Sequence, residues 1–238
     1  MRARLYGIPM SHPVITARLA LARKGVEVQE RTLLAGAHPL LLLALGFRGG
    51  TVPALRLDGA RVQGSTAITR ALEAAVPDPP LYPGGPAERA AVAEAEAWGE
   101  RVLQPIPRRL IRRTLVLSGT QRRWFAATTM PLPFPGLVAL ALRPIAGVFA
   151  GMVGSSAEST AADLASLDEI LGHVDALIAD GVIGGPDLNA ADCQIAPAVR
   201  MLLAFADLHD RVAAHGPAAA LALRLVPDYP GIPGVLGV

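Results

Sequence analysis

The stretch Gly49 to Glu73, GGTVPALRLDGARVQGSTAITRALE, constrains the fold of this chain more than any other. Val52, Leu55 and Leu57 are strand formers, but Pro53 among them has no N–H to give a ladder, so that end of the strand is irregular or lies at an edge. Asp58-Gly59 supplies the turn of a hairpin, and ARVQ returns as the partner strand. Gly64-Ser65 then opens a helix, with Ser65 at its N-cap or first turn and Ala67, Ile68, Ala71 and Leu72 on one face. The free N–H groups of that helix start would face any anion bound nearby.

Upstream, ARLYG (residues 3–7) reads as a first strand and IPMSHP as a loop. VITARLALARKG is a half-buried helix stopped by Gly25, with Arg23 and Lys24 at the negative end of its dipole. VEVQERTL alternates as a second strand, and Ala37 to Leu45 is a short apolar helix. Strand, helix, strand, helix, strand, strand, helix is the thioredoxin-like order, and it occupies residues 1–75. Residues 76–86, VPDPPLYPGGP, are dense in Pro and Gly and read as a linker. Residues 87–238 show helical patterns at 87–117, 157–180, 189–206 and 216–225 with no strand, so the second domain is expected to be all-helical. Asn189 is placed to cap the third of these helices, with Asp192 completing a capping box and Leu188 stapling onto Cys193.

Val52-Pro53, Ser65 and Ala67-Ile68 resemble the second half of the glutathione transferase N-terminal domain, and LNAAD (188–192) resembles the capping box near the start of that family's sixth helix. SHPVITARLALARKGV is similar, without a gap, to the serine-type, theta- and tau-like members, from the catalytic Ser to the Gly that ends helix one. The resemblance covers nearly the full chain. It implies Ser11 as the catalytic residue, its hydroxyl donating a hydrogen bond that stabilises the glutathione thiolate for attack on a small hydrophobic electrophile, a detoxification chemistry. Tyr6 is the alternative donor, because other classes use a Tyr at the end of strand one. The thiol-binding positions implied are His38, Thr51, Val52, Pro53, Gly64 and Ser65: a His for the glycine carboxylate, main chain before a cis-proline for the cysteinyl unit, and a Glu-Ser pair for the γ-glutamyl end. This chain has Gly64 where the family has Glu, which removes a charge-assisted contact of about 1.5–3 kcal/mol. Glutathione is therefore expected to bind weakly, or another low-molecular-weight thiol to take its place.

The residues also have plainer readings. Ser11 can cap the first helix, Tyr6 can pack between layers, and His12 reads as exposed. Cys193 reads as inert core, and Trp98 and Trp124 as packing residues. Ser11-His12-Pro13-Val14 stands where a redox member of the fold would carry Cys-x-x-Cys, which excludes disulfide exchange by that route. Five scattered His and one Cys offer no metal-ligand spacing. The single Cys fits a reducing compartment, and Met1-Arg2 run directly into a strand pattern with no leader-like apolar run, so the expectation is cytoplasmic.

A net charge of +2 is no nucleic-acid footprint, although arginine raises the isoelectric point to 9.1. Arg108, Arg109, Arg112 and Arg113 at helical spacing, followed by Arg122 and Arg123, form a solvated helix face or attract anionic ligands or lipid. With Arg70 they are also candidates for the homodimer surface that the resemblance implies. Residues 131–156 are an apolar insert broken by Pro131, Pro133, Pro135 and Pro144. Leu132 to Val153 is barely long enough to span a bilayer, and Arg143 near its middle would cost about 2.5–3.5 kcal/mol, which argues against a span. Three roles stay open for it: core and lid over the cleft or partner subunit, wall of a hydrophobic substrate pocket, or contact with a membrane surface. Two functions stay open as well, the thiol-conjugating enzyme and a non-catalytic binding or scaffold protein of the same fold for hydrophobic ligands or a protein partner.

Overall fold

The computed structural model describes residues 1–130 and 132–237. Strands β1 (Ala3–Gly7), β2 (Val28–Thr32), β3 (Ala54–Leu57) and β4 (Ala60–Gln63) form one mixed sheet in the order β2-β1-β3-β4, with β1 parallel to β2 and antiparallel to β3. The two-residue period of β1 sorts its faces. Ala3 and Leu5 enter the core shared with α1 (His12–Arg23) and α3 (Ser65–Ala75), whereas Tyr6 joins Leu33, Phe47, Ala54 and Leu42 of α2 (His38–Ala44). Pro53 lies just before β3, so its missing N–H costs the ladder nothing, and the Val52–Pro53 peptide is cis.

Residues 76–86 are fastened down. Lys24, at the C-terminal end of α1, is buried: its Nζ donates to Glu73 Oε2 (2.5 Å) and to the carbonyls of Pro79 (2.7 Å) and Pro77 (3.3 Å). Glu73 in turn accepts from the Leu81 N–H at 2.9 Å, and the Leu81 carbonyl from Ala190 N–H at 2.9 Å. The ties run through main-chain carbonyls, which carry no sequence signature, and the buried cation that organises them lies 53 residues upstream of Pro77.

The helical pattern of 87–117 is α4 (Pro86–Trp98) and α5 (Pro105–Leu117) joined by a π-turn at Gly99–Leu103. Pro105 and Pro107 lack the N–H groups that would continue an α-helical ladder, and Gln104 N–H reaches back to Gly99 O at 2.8 Å instead. Gly99 also admits the helix that crosses it: a Cβ there would stand 3.0 Å from Ile195 Cγ1 and 3.1 Å from Gln194 Cγ. The next segment is more helical than its prolines suggest. Ser118 caps α6 (Gly119–Thr129), Pro135 begins α7 (Pro135–Leu142), and α8 (Ala146–Gly151) follows; Pro131 lies outside the described residues. Proline at the first helical position sacrifices no hydrogen bond, so here it marks a start and not a break.

The pattern at 157–180 divides at Ser166 into α9 (Ala157–Ala165) and α10 (Leu167–Ala179). The nearly wholly buried α11 (Ala190–Ala204) begins with the expected box: Asn189 Oδ1 accepts from Ala191 N–H (2.9 Å) and Asp192 N–H (3.1 Å), and Asp192 Oδ2 from Asn189 N–H (3.0 Å). Helices α12 (His209–Ala213) and α13 (Gly216–Leu225) complete the helical domain, with an unexpected isolated parallel bridge between Phe205 and Ile232. One core runs through both parts, from Leu5, Ile68 and Leu72 to Ile106, Leu110, Val199 and Leu202.

Candidate active site

Where α1 begins, beside the start of α2 and across from α5, the chain encloses a cavity of about 230 Å³. Ser11, His38, Thr51 and Val52 line it from the thioredoxin-like side, and Arg108 and Arg112 from α5. Phe125, Phe149, Met152 and Met201 make the remaining wall apolar.

Ser11 occupies the N-cap position of α1, yet its side chain makes no capping hydrogen bond. Its carbonyl accepts from Val14 N–H (2.9 Å) and Ile15 N–H (3.1 Å), while the hydroxyl has no partner among the described residues. The preceding Met10 has φ 62°, unusual for a residue with a side chain, and its carbonyl accepts from the Tyr229 hydroxyl at 2.6 Å. The C-terminal segment therefore holds the loop that presents Ser11, a tie across 219 positions that no local pattern announces.

The neighbouring His12 is buried, not exposed as its sequence position suggests. Its Nε2 lies 3.1 Å from the Gln104 carbonyl, and burial, with Arg108 nearby, pulls its pKa down to about 3. Burial and Arg112 likewise lower His38, whose Nδ1 is buried with no partner among the described residues. Both rings are neutral at pH 7, so neither adds a charge to the cavity. Charge comes from Arg108 and Arg112, one turn apart and pointed inward instead of forming a solvated face. Arg108 Nη2 donates to Gln104 Oε1 (3.0 Å), Arg112 lies over the Phe149 ring (5.7 Å), and neither has a carboxylate partner among the described residues. Arg109, from the same cluster, is committed elsewhere, as a two-pronged pair with Asp163.

Tyr6 does not line the cavity; it is 3% exposed and meets Phe47 edge-on at 5.6 Å. Pro53, Gly64 and Ser65 also stand outside the lining, with Gly64 N–H donating to the Pro53 carbonyl at 3.0 Å. The Ser65 hydroxyl is buried against Gln104 Nε2 (3.3 Å). Gly64 has φ 97° and ψ 145°, a conformation that favours glycine and disfavours the family's Glu. A carboxylate nevertheless stands at the start of α3: Glu100, from the π-turn, accepts from Thr66 Oγ1 at 2.9 Å. The Val52 main chain makes no hydrogen bond among the described residues. Cys193 is buried, which pushes its thiol up and leaves it unreactive. No cluster of three or more His, Cys, Asp or Glu is placed to hold a metal among the described residues.

A thioredoxin-like sheet domain followed by an all-helical domain is the architecture of the glutathione-transferase fold. Residues 5–80 match the family model for the glutathione S-transferase N-terminal domain, and the glutathione-transferase fold extends over nearly the full length of the chain. It is similar to the β-etherase LigF of Sphingobium sp. strain SYK-6, at 17% identity and TM-score 0.68 over 98% of this chain and 97% of that one. A glutathione S-transferase of Sinorhizobium meliloti 1021 superposes with 19% identity and TM-score 0.67, over 98% and 90% of the two chains. One from Methylobacterium radiotolerans JCM 2831, in complex with glutathione sulfonate, does so with 20% identity and TM-score 0.62, over 100% and 98%. A search of curated protein sequences found no relative.

Proposed function

We propose that this protein is a serine-type thiol transferase that joins glutathione, or another low-molecular-weight thiol, to a hydrophobic electrophile. The observation that carries the reading is Ser11: a hydroxyl at a helix N-cap, unspent on capping, facing a cavity with two guanidinium groups that have no carboxylate partner among the described residues. A thiol sulfur placed there receives the hydroxyl's hydrogen bond, and the helix start and the arginines favour its ionised form. The proton leaves to solvent, the thiolate sulfur bonds to the electrophilic carbon, and the leaving group departs with its electron pair. The apolar wall of Phe125, Phe149 and Met152 suits the electrophile. A cytoplasmic homodimer is part of the same proposal.

Ser11→Ala should lower kcat/KM on a generic aromatic electrophile by about tenfold or more with the fold intact by circular dichroism. Unchanged turnover removes Ser11 from the mechanism. Gly64, and a Ser65 hydroxyl already held by Gln104, favour a second reading in which the fold binds apolar ligands without a thiol. That reading requires that glutathione fail to bind at millimolar concentration while apolar dyes do, so a thiol-binding measurement separates the two.

A further inference from the structure

Residues 101–157 contain eight arginines and not one Asp or Glu. The same segment bears the largest apolar exposure on the molecule: among the described residues, seven of the fourteen exposed large hydrophobic side chains fall between Leu132 and Met152. Phe134, Leu137, Leu140, Val148 and Met152 are each more than 60% exposed, at 71, 67, 63, 63 and 70%. Beside them, between the end of α5, the start of α6 and the α7–α8 pair, runs an open groove of about 750 Å³ lined by Arg122, Arg123 and Arg143. Arg122 is anchored on the Leu115 carbonyl at 2.7 Å; Arg123 and Arg143 make no ion pair among the described residues.

We propose that this face docks on an anionic lipid bilayer, with the apolar side chains of α7 and α8 at the boundary of headgroups and acyl chains and Arg123 and Arg143 against lipid phosphates. An apolar face ringed by cations with no anion among them matches such a surface in both properties at once. A second copy matches it poorly, because a two-fold contact would set the same arginines against each other. A membrane span is a different matter: no helix among the described residues is long and apolar enough to cross. The face also borders the cavity, since Phe149 and Met152, on and just after α8, line it. Docking would set the cavity's apolar wall against the phase in which a lipophilic electrophile dissolves. The inference does not depend on the thiol chemistry.

The test is co-sedimentation of the full chain with vesicles of phosphatidylcholine alone and of phosphatidylcholine with about one third phosphatidylglycerol, at low and at physiological salt. The protein should pellet with the anionic vesicles, remain in solution with the neutral ones, and release as salt rises. The double variant R123E/R143E should lower the partition coefficient roughly thirtyfold. L137S/L140S should lower it about tenfold or more. All four side chains are exposed, so both variants should keep the wild-type melting transition. Three results overturn the proposal: no pelleting with anionic vesicles, pelleting that R123E/R143E leaves unchanged, or a dimer by light scattering that L137S/L140S converts to monomer, which would put a second copy on this face.

Discussion

Replacing Glu96 by Gln should remove a loss of stability that the wild-type protein suffers between pH 5 and 8. Glu96, in the last turn of α4, has its side chain fully buried; Oε2 accepts from the Tyr82 hydroxyl at 2.7 Å, and Oε1 has no partner among the described residues. Burial, opposed in part by the Tyr82 bond and by Arg70, raises its pKa from 4.5 to about 7. The unfolded chain therefore gives up this proton near pH 4.5 and the folded one only near pH 7. Across that window the unfolded state binds fewer protons, so stability falls as pH rises and levels off above 7. The shift corresponds to at most about 3 kcal/mol, or roughly 6–12 °C in Tm for a chain of this size. His12 titrates in the opposite sense: its lowered pKa takes stability away as pH falls below 6.5. Comparing the two proteins removes that contribution, because both contain His12. The assay is thermal unfolding by circular dichroism at half-unit steps from pH 5 to 8. The amide's unpartnered N–H₂ lowers the whole Gln curve, so the quantity compared is slope. Parallel curves for wild type and Glu96→Gln would refute the reasoning.

Lys24→Met should destabilise the protein by about 3 kcal/mol in urea unfolding, because it leaves Glu73 and the carbonyls of Pro77 and Pro79 without their buried cation. Arg112→Gln should raise the His38 pKa toward 6.5, followed by NMR titration of the ring, and weaken thiol binding about tenfold. On the proposed reading, Glu100 stands in for the carboxylate that Gly64 lacks at the α3 start, and Glu100→Gln should weaken glutathione binding by roughly ten- to hundredfold in titration calorimetry. Equal affinities would take Glu100 out of the site.

The parts of this structure legible in the sequence are those fixed by near neighbours. The Asp58-Gly59 hairpin, the helix that opens at Ser65 and the Asn189–Asp192 box are specified within a few residues by turn and cap chemistry. Ser11, His38 and Thr51-Val52 were candidates from sequence, and the fold gathers them at one cavity. Arg108 and Arg112 were visible as a helical pair, but not their direction. Which face of α5 turns inward depends on the π-turn at Gly99 and on packing against α11, and a helical period carries no label for either. Lys24 and Tyr229 escaped for a related reason: each acts through main-chain carbonyls far along the chain, and a carbonyl has no sequence signature. The prolines of the insert misled in the other direction, because Pro135 begins α7 where an interior proline would have broken it.

The charges around the cavity have a consequence for how its chemistry should depend on pH. Arg108 and Arg112 have pKa values lowered by burial, but guanidinium starts so high that both remain charged. His12 and His38 are pushed the other way from ionisation and stay neutral at and above pH 7. The Ser11 hydroxyl does not titrate in this range, and Cys193 is raised out of it. Above neutrality the cavity wall is therefore an electrostatically constant surface, with a positive field that does not switch. On the proposed reading, the group that ionises there is the bound thiol, and the field would lower its pKa. On that reading the neutral histidines leave the field unchanged: a charged imidazole would alter it as it titrated, whereas the two arginines hold it fixed.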